Sequence, residues 1–338
     1  MKHFSNVFLV ILLVLSNISL YAQGRDKLVI PSYLQKGDTV VIIAPAGIMK
    51  DTVKVENGIK LLKDWGLKVK LGKHVFEQNF HFAGTDAQRA EDFQKAIDNP
   101  NIKAIWCARG GYGSVRIIDA IDFTKFKQNP KWVIGFSDIT VFHNAIHNLG
   151  IETLHALMPI TLKPDNKEQK KAQKALKKAL FGKKITYRIS DSDYNKEGEV
   201  TAKIVGGNLS ILYSLLGTES TINVDNKILF IEDVGEYLYS IDRMLISLRR
   251  NGYFDHCKGL IVGGVTDFRE NSTPYGKTVE EVVLDAVKDF DFPVAFDFPA
   301  GHIRDNRALI LGRTLTLKVK KNKTILKFLY DGKAQRVE

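Results

Sequence analysis

Lys103–Ala108 (KAIWCA) is a stretch of strand length, apolar from Ala104 on, that passes without a break into Arg109–Arg116 (RGGYGSVR), where three glycines in four positions precede a serine. A short, nearly continuous apolar run suits a strand buried on both faces, and glycines directly after it supply a sharp turn into a helix. The same rhythm extends to both sides. Thr39–Ala44 (TVVIIA) leads through Pro45-Ala46-Gly47 into helical spacing over Val53–Trp65. A short strand at Leu67–Leu71 is followed by a helix that Thr85 opens, with Gln88 three residues on in a capping-box pattern. Lys131–Gly135 repeats the strand, again with a helix behind it.

Strands alternating with helices are the mark of parallel α/β architecture. Residues 23–160 therefore read as an N-terminal domain of Rossmann-like character with a parallel sheet. Residues 161–185 form a Lys-rich helical linker, with Ala172, Ala175, Leu176, Ala179 and Leu180 at helical spacing. A second, mixed α/β domain fills residues 186–338. It has expected strands at Glu199–Val205, Lys227–Glu232, Gly259–Gly263 and Pro293–Phe298, and helices at Asn208–Leu216, Leu238–Arg250 and Thr278–Phe290. A terminal hairpin of Thr314–Lys320 and Thr324–Tyr330 turns at Asn322.

With 338 residues, 44% of them apolar, and only 9 Pro, the chain can bury two real cores, which excludes a disordered or collagen-like protein. Two distant cysteines, Cys107 and Cys257, exclude a disulfide scaffold, and Cys107 inside the apolar run reads as a buried thiol. Residues 1–22 read as an export signal: Lys2 supplies the positive start, Val7–Leu15 the apolar core, and Ala22 the cleavage point. That core is too short to span a bilayer, so no stable membrane insertion is expected after cleavage, and the mature chain is expected to be periplasmic or secreted.

The net charge of +11 suggests nucleic acid until it is located. Lys163–Lys184 carries nine Lys against Asp165 and Glu168, and Arg313–Glu338 carries eight Lys and Arg against Asp331 and Glu338. These two stretches exceed the whole excess, and neither interleaves its cations with stacking aromatics. Solvated faces explain both, and no nucleic-acid partner is expected.

In open α/β sheets reacting groups gather where strands end at their carboxyl edge. Three such ends stand out. Ser114 closes the glycine-rich turn, either as a nucleophile with the Val115 amide positioned to hold an oxyanion, or as a plain N-cap serine. A phosphate loop is excluded, since neither a third glycine at the required spacing nor Gly-Lys-Ser/Thr is present. Phe230-Ile231-Glu232-Asp233 ends a strand in carboxylates, of which one could orient an imidazole and another could cap the next helix. Phe298-Pro299-Ala300-Gly301-His302 ends the third in a histidine. A hydroxyl, an acid and an imidazole, each at a strand end, are what nucleophilic acyl transfer needs. His143 and His147, four apart, lack the Glu of a zinc helix and read as helix-surface residues, so no metal is expected. Asp138 reads as a helix cap.

Ala108–Arg116 (ARGGYGSVR), Gly135–Thr140 (GFSDIT), Gly206-Gly207-Asn208-Leu209, Ile231–Glu236 (IEDVGE) and Gly301-His302 together resemble, in order, the blocks of the LD-carboxypeptidase family of serine peptidases. That family also holds the microcin C immunity peptidases, and the resemblance runs from about Lys36 to Gly312. It implies a smaller, swivelling C-terminal domain, an active site in the cleft, no cofactor, and a possible homodimer. It implies Ser114 as nucleophile, Glu232 rather than Asp233 as orienting acid, and His302 as base. Arg109 and Arg116 become candidates for a substrate carboxylate, Tyr112 for a pocket wall, and Asn208 for pocket lining or a helix cap. The implied reaction is hydrolysis of the amide between the L-centre of a diamino acid and the terminal D-alanine of a peptidoglycan-derived tetrapeptide. The alternatives are cleavage of an aminoacyl-nucleotide antibiotic and non-catalytic binding of wall peptides. Many members with the recycling role act in the cytoplasm, which an export signal does not fit.

Overall fold

The computed structural model describes residues 28–163 and 166–330, so the expected export signal lies outside the described residues. The first five strands are β1 (Thr39–Ile43), β2 (Lys68–Leu71), β3 (Ile102–Cys107), β4 (Trp132–Gly135) and β5 (Thr153–His155). They lie in the order β2-β1-β3-β4-β5, all parallel. Trp132–Gly135 is buried throughout and β3 nearly so, which is why these strands read as unbroken apolar runs rather than as alternation.

Helix ends follow the local chemistry. Asp86–Asp98 opens on the expected capping box, with Thr85 Oγ1 accepting from the Gln88 amide at 3.2 Å and Gln88 Oε1 accepting from the Thr85 amide at 2.8 Å. Its far end rests on a cation the sequence did not advertise. Lys131, 1% exposed, donates to the carbonyls of Ile97 at 2.8 Å and Asn99 at 2.7 Å. Burial lowers this ammonium to about 8, while the helix C-terminus supplies the acceptors that make it tolerable.

The second sheet is built from β6 (Thr186–Ile189), β7 (Gly198–Asn208), β8 (Lys227–Val234), β9 (Gly259–Thr266) and β10 (Val294–Ala295). Strand β11 (Leu309–Leu311) then leaves it, and β12 (Thr314–Lys320) and β13 (Lys323–Phe328) return to it. The order is β10-β9-β8-β7-β12-β13-β6, parallel from β7 to β10 and antiparallel on the β12, β13 and β6 side. The second unit is therefore mixed, as its sequence suggests.

The first sheet departs from the all-parallel expectation at one strand. β11, from the C-terminal half, pairs antiparallel with β5 in the register Leu309 with His155. All three of its residues are buried, and the pairing covers an edge that β5 would otherwise expose. Residues from both halves thus share one sheet.

Packing ties the halves further. One apolar cluster runs from Val40, Trp106 and Trp132 through Ala172, Leu176 and Leu180 of the Lys-rich helix (Lys167–Leu180) to Ile204, Phe230 and Leu317. The helix buries its Ala/Leu face and exposes Lys167, Lys170, Lys171, Lys174 and Lys177, so its charge is a solvated face. Beside it, Arg313 donates to Glu152 at 3.0 Å, both side chains being 4% exposed, and to the Tyr33 hydroxyl at 2.8 Å. At the carboxyl edges the Asn208 amide, ending β7, donates to Thr140 Oγ1 at 3.0 Å, at the start of the helix that follows β4. This junction sets the ends of β4 and β8 side by side.

Candidate active site

Strand β4 ends in Gly135, Phe136 follows in extended backbone, and Ser137 then takes φ 64° before the helical turn Ser137–Ile139 and the helix Thr140–Asn148. A serine in the left-handed region is strained, and such strain persists where the surroundings hold the chain there. Strand, strained turn and helix form an elbow that presents the hydroxyl.

Facing it is His302, whose Nε2 stands 3.1 Å from Ser137 Oγ. Nδ1 of the same ring lies 2.6 Å from Glu232 Oε2. With Nδ1–H donating to the carboxylate, the neutral imidazole has its lone pair on Nε2, where it accepts from the serine hydroxyl. Gly301 lets this loop approach. At φ 102° it occupies backbone that side chains disfavour, and a Cβ there would lie 2.7 Å from the Glu232 Cβ. Thr266 Oγ1 donates to the His302 carbonyl at 3.2 Å, and Phe136 meets the imidazole edge-on with centroids 4.9 Å apart.

Glu232 is fully enclosed. Burial works against its charge, yet the His155 and His302 imidazoles outweigh that and hold the carboxyl well below the ordinary range. Burial likewise opposes the charge on His302, but the Glu232 hydrogen bond and charge prevail, so its pKa stands above the ordinary imidazole value. Asp233, one residue on, is pushed up to about 6 by burial and then by the Glu232 charge. It accepts from Asn208 Nδ2 at 3.0 Å, the Ser210 amide at 2.9 Å and the Val234 amide at 2.8 Å, and so braces the next helix.

The structure thus brings Glu232 and His302 together, as the sequence suggests, and does not bring Ser114 to them. Gly113 turns at φ 134° and starts a helical turn with Ser114 inside the core, 0% exposed, its hydroxyl with no hydrogen-bond partner. The Ser114 amide donates to Asp138 Oδ2 at 2.8 Å, so Asp138 reaches back to the glycine-rich loop instead of capping its own helix. The Val115 amide accordingly stands beside a serine to which His302 makes no hydrogen bond, and the oxyanion role assigned to it loses its basis.

The glycine-rich loop still bears on the site from above Ser137. A Cβ on Gly110 would lie 3.0 Å from the Ser137 Cβ and 3.2 Å from the Asp138 amide nitrogen, so this backbone approaches the elbow as only glycine allows. Buried Arg89 fastens the loop, donating to the carbonyls of Pro45 at 2.7 Å and Gly113 at 2.8 Å.

The binding candidates separate in the same way. Arg116 is exposed and paired with Asp86 at 2.7 Å, which accounts for its charge. Arg109 is half-buried, donates to the Ile48 carbonyl at 2.7 Å, and makes no ion pair among the described residues. Tyr112 is 45% exposed and leans on His81 and Phe82 as part of an aromatic rim. Asn208 caps the helix Leu209–Ser214, with Oδ1 accepting from Ser210 Oγ at 2.7 Å and the Ile211 amide at 3.2 Å, so its side chain is engaged in structure. His143 is buried, not on a helix surface, and donates from Nε2 to the Gly135 carbonyl at 2.9 Å.

A hydroxyl, an imidazole and a buried carboxylate thus stand in line on a two-sheet α/β frame. The signature of an LD-carboxypeptidase N-terminal domain matches residues 40–156, and that of an LD-carboxypeptidase C-terminal domain matches residues 201–317. The chain belongs to the LD-carboxypeptidase family. It is 37% identical over 290 residues to a probable murein peptide carboxypeptidase of Bacillus subtilis, covering 83% of this chain and 89% of that one. It is 27% identical over 321 residues to a microcin C7 self-immunity protein of Escherichia coli, covering 84% and 91%. The crystal structure of a muramoyltetrapeptide carboxypeptidase from Oxalobacter formigenes superposes with TM-score 0.78 at 27% identity, covering 86% of this chain and 98% of that one.

Proposed function

We propose that this carboxypeptidase is a serine-type enzyme that releases the terminal D-alanine from peptidoglycan-derived tetrapeptides, cutting the amide after the L-centre of the diamino acid. The observation that carries the reading is the unbroken chain from Ser137 Oγ to His302 Nε2 at 3.1 Å and from His302 Nδ1 to Glu232 Oε2 at 2.6 Å. Ser137 takes the nucleophile's place expected of Ser114.

In this mechanism the Ser137 oxygen attacks the scissile carbonyl carbon while its proton passes to His302 Nε2. Glu232 fixes the ring in the useful tautomer and stabilises the imidazolium. The carbonyl oxygen, now negative, is held by the Asp138 amide and by the Gly110-Gly111 backbone that overhangs it, an interaction worth about 3 kcal/mol per donor. The imidazolium then gives its proton to the departing D-alanine nitrogen as the carbon–nitrogen bond breaks. Water, deprotonated by His302, hydrolyses the Ser137 ester and restores the enzyme. Arg109 is the cation assigned to the substrate's terminal carboxylate and Tyr112 the wall beside it.

Residues 1–22 support export, so the proposed working place is the periplasm or the exterior. Mass spectrometry after incubation with a muropeptide mixture, alongside an aminoacyl sulfamoyl nucleotide, tests the reading. Loss of one D-alanine from tetrapeptides is expected; cleavage of the nucleotide alone would favour the immunity-protein reading, and no product from either would contradict both.

A further inference from the structure

Glu232 has a second oxygen that the mechanism above does not use. Oε1 is buried without a hydrogen-bond partner, and 3.8 Å away lies Nε2 of His155, a residue that is 0% exposed with neither ring nitrogen hydrogen-bonded. His155 ends β5, its backbone held between Gly135 of β4 and Leu309 of β11. Its ring is packed edge-on by Phe136 at 5.8 Å and Phe230 at 4.9 Å, which keep water out and leave Glu232 as its acidic neighbour. Among the described residues His143 also stands against it, with ring centroids 6.4 Å apart; burial lowers His143 to about 3, so it carries no charge at working pH. On the far side of the carboxylate stands His302, with Asp233 and Asp267 bearing on its charge.

We infer that His155 is a positioning residue: a second imidazole that holds Glu232 by Oε1, so that Oε2 is aimed at His302. His155 Nε2 and Glu232 Oε1 are unpartnered polar atoms in one dry space, and each carries a desolvation cost that a hydrogen bond between them relieves. Shortening the gap by about 0.6–1 Å brings it into hydrogen-bond range, and sites of this kind tighten when substrate is bound. A hydrogen bond from Nε2–H spreads the carboxylate's charge over two imidazoles and tempers its hold on the His302 proton. His155 links β5 of the first sheet to β8 of the second at this carboxylate. The inference rests on Ser137, His302 and Glu232 acting as proposed.

The test compares the full chain with His155→Phe, which keeps an aromatic ring and removes the donor, and His155→Gln, which keeps an N–H. Two readouts are taken: the pH profile of kcat and KM, and an NMR titration of the His302 ring, assigned by its loss in His302→Gln. In His155→Phe the bare carboxylate holds the His302 proton harder, so the His302 midpoint and the acid limb move up by about one pH unit. The corresponding loss of kcat on the acid limb is about tenfold with KM little changed, and His155→Gln restores most of both. A packing role alone would lower stability but leave midpoint and limb in place, and that result overturns the inference, as does a Gln variant indistinguishable from Phe. If the wild type turns over no tetrapeptide, the functional reading fails, while the substrate-free titration still decides for or against the His155–Glu232 coupling.

Discussion

The Ser114 amide donates to Asp138 Oδ2 at 2.8 Å, and this bond ties the glycine-rich loop after β3 to the elbow after β4. Asp138 is 1% exposed and burial raises its carboxyl, with the bond from the Ser114 amide offsetting part of the rise. Replacing it by Ala leaves the Ser114 amide unsatisfied in a closed space. Asp138→Ala is expected to lose about 1–3 kcal/mol in urea unfolding and to lower kcat as Gly110 drifts from Ser137. Asp138→Asn, which keeps an acceptor, is expected to recover most of both.

The pH dependence follows from His302. Its pKa lies above the ordinary imidazole value because the Glu232 hydrogen bond and charge outweigh burial. A general base works only when neutral, so kcat/KM should rise with pH and reach half its plateau above about 6.5, the unperturbed imidazole value. Acidification removes activity by protonating Nε2. Glu232→Gln removes the charge that raises the pKa, so the limb moves to lower pH while the plateau falls by about 10³–10⁴-fold. A pH–rate series on both proteins checks the two shifts together.

The Glu152–Arg313 pair joins the start of β5 to the start of β12 with both side chains 4% exposed. Breaking one partner strands a buried charge, so Arg313→Met or Glu152→Leu alone is expected to cost about 3–5 kcal/mol. The double replacement should recover much of that. A double-mutant cycle by denaturant unfolding measures the coupling.

The export reading predicts that the protein, expressed in its own host, is found outside the cytoplasm with a mature N-terminus at Gln23. Fractionation followed by N-terminal sequencing checks it, and an intact Met1 in the cytoplasmic fraction would count against it.

Much of the frame was legible because it is local. The helix Leu238–Arg250 follows its apolar spacing to the residue, and Thr85 with Gln88 announces the start of Asp86–Asp98. β11 was not legible: three apolar residues carry no period, and their partner, β5, is some 150 residues away in a different half. The Glu232-Asp233 pair could be read because it lies near the end of the apolar strand β8, the choice of Glu232 coming from the family resemblance, and His302 because it follows the apolar stretch around β10. Ser114 drew the nucleophile's role through its glycines, yet Gly113 turns it into the core. The signal for Ser137 was present in the same rule, since Trp132–Gly135 is a strand that ends two residues before it and a helix follows. What marks it further, a positive φ at a serine that has Gly135 two residues before it but Ile139 where the elbow's second glycine would stand, belongs to the folded backbone. Lys131 was hidden for a similar reason, because burial of a polar side chain is a property of its surroundings.

The central claim, that Ser137 and not Ser114 is the hydroxyl His302 activates, is tested by kcat/KM for D-alanine release in the wild type, Ser137→Ala and Ser114→Ala. Ser137→Ala is expected to lose about a thousandfold or more, with its fold and substrate binding intact. Ser114→Ala, which removes a buried hydroxyl without a partner, is expected to stay within a few-fold of the wild type. Full activity in Ser137→Ala, or loss confined to a well-folded Ser114→Ala, would contradict the account.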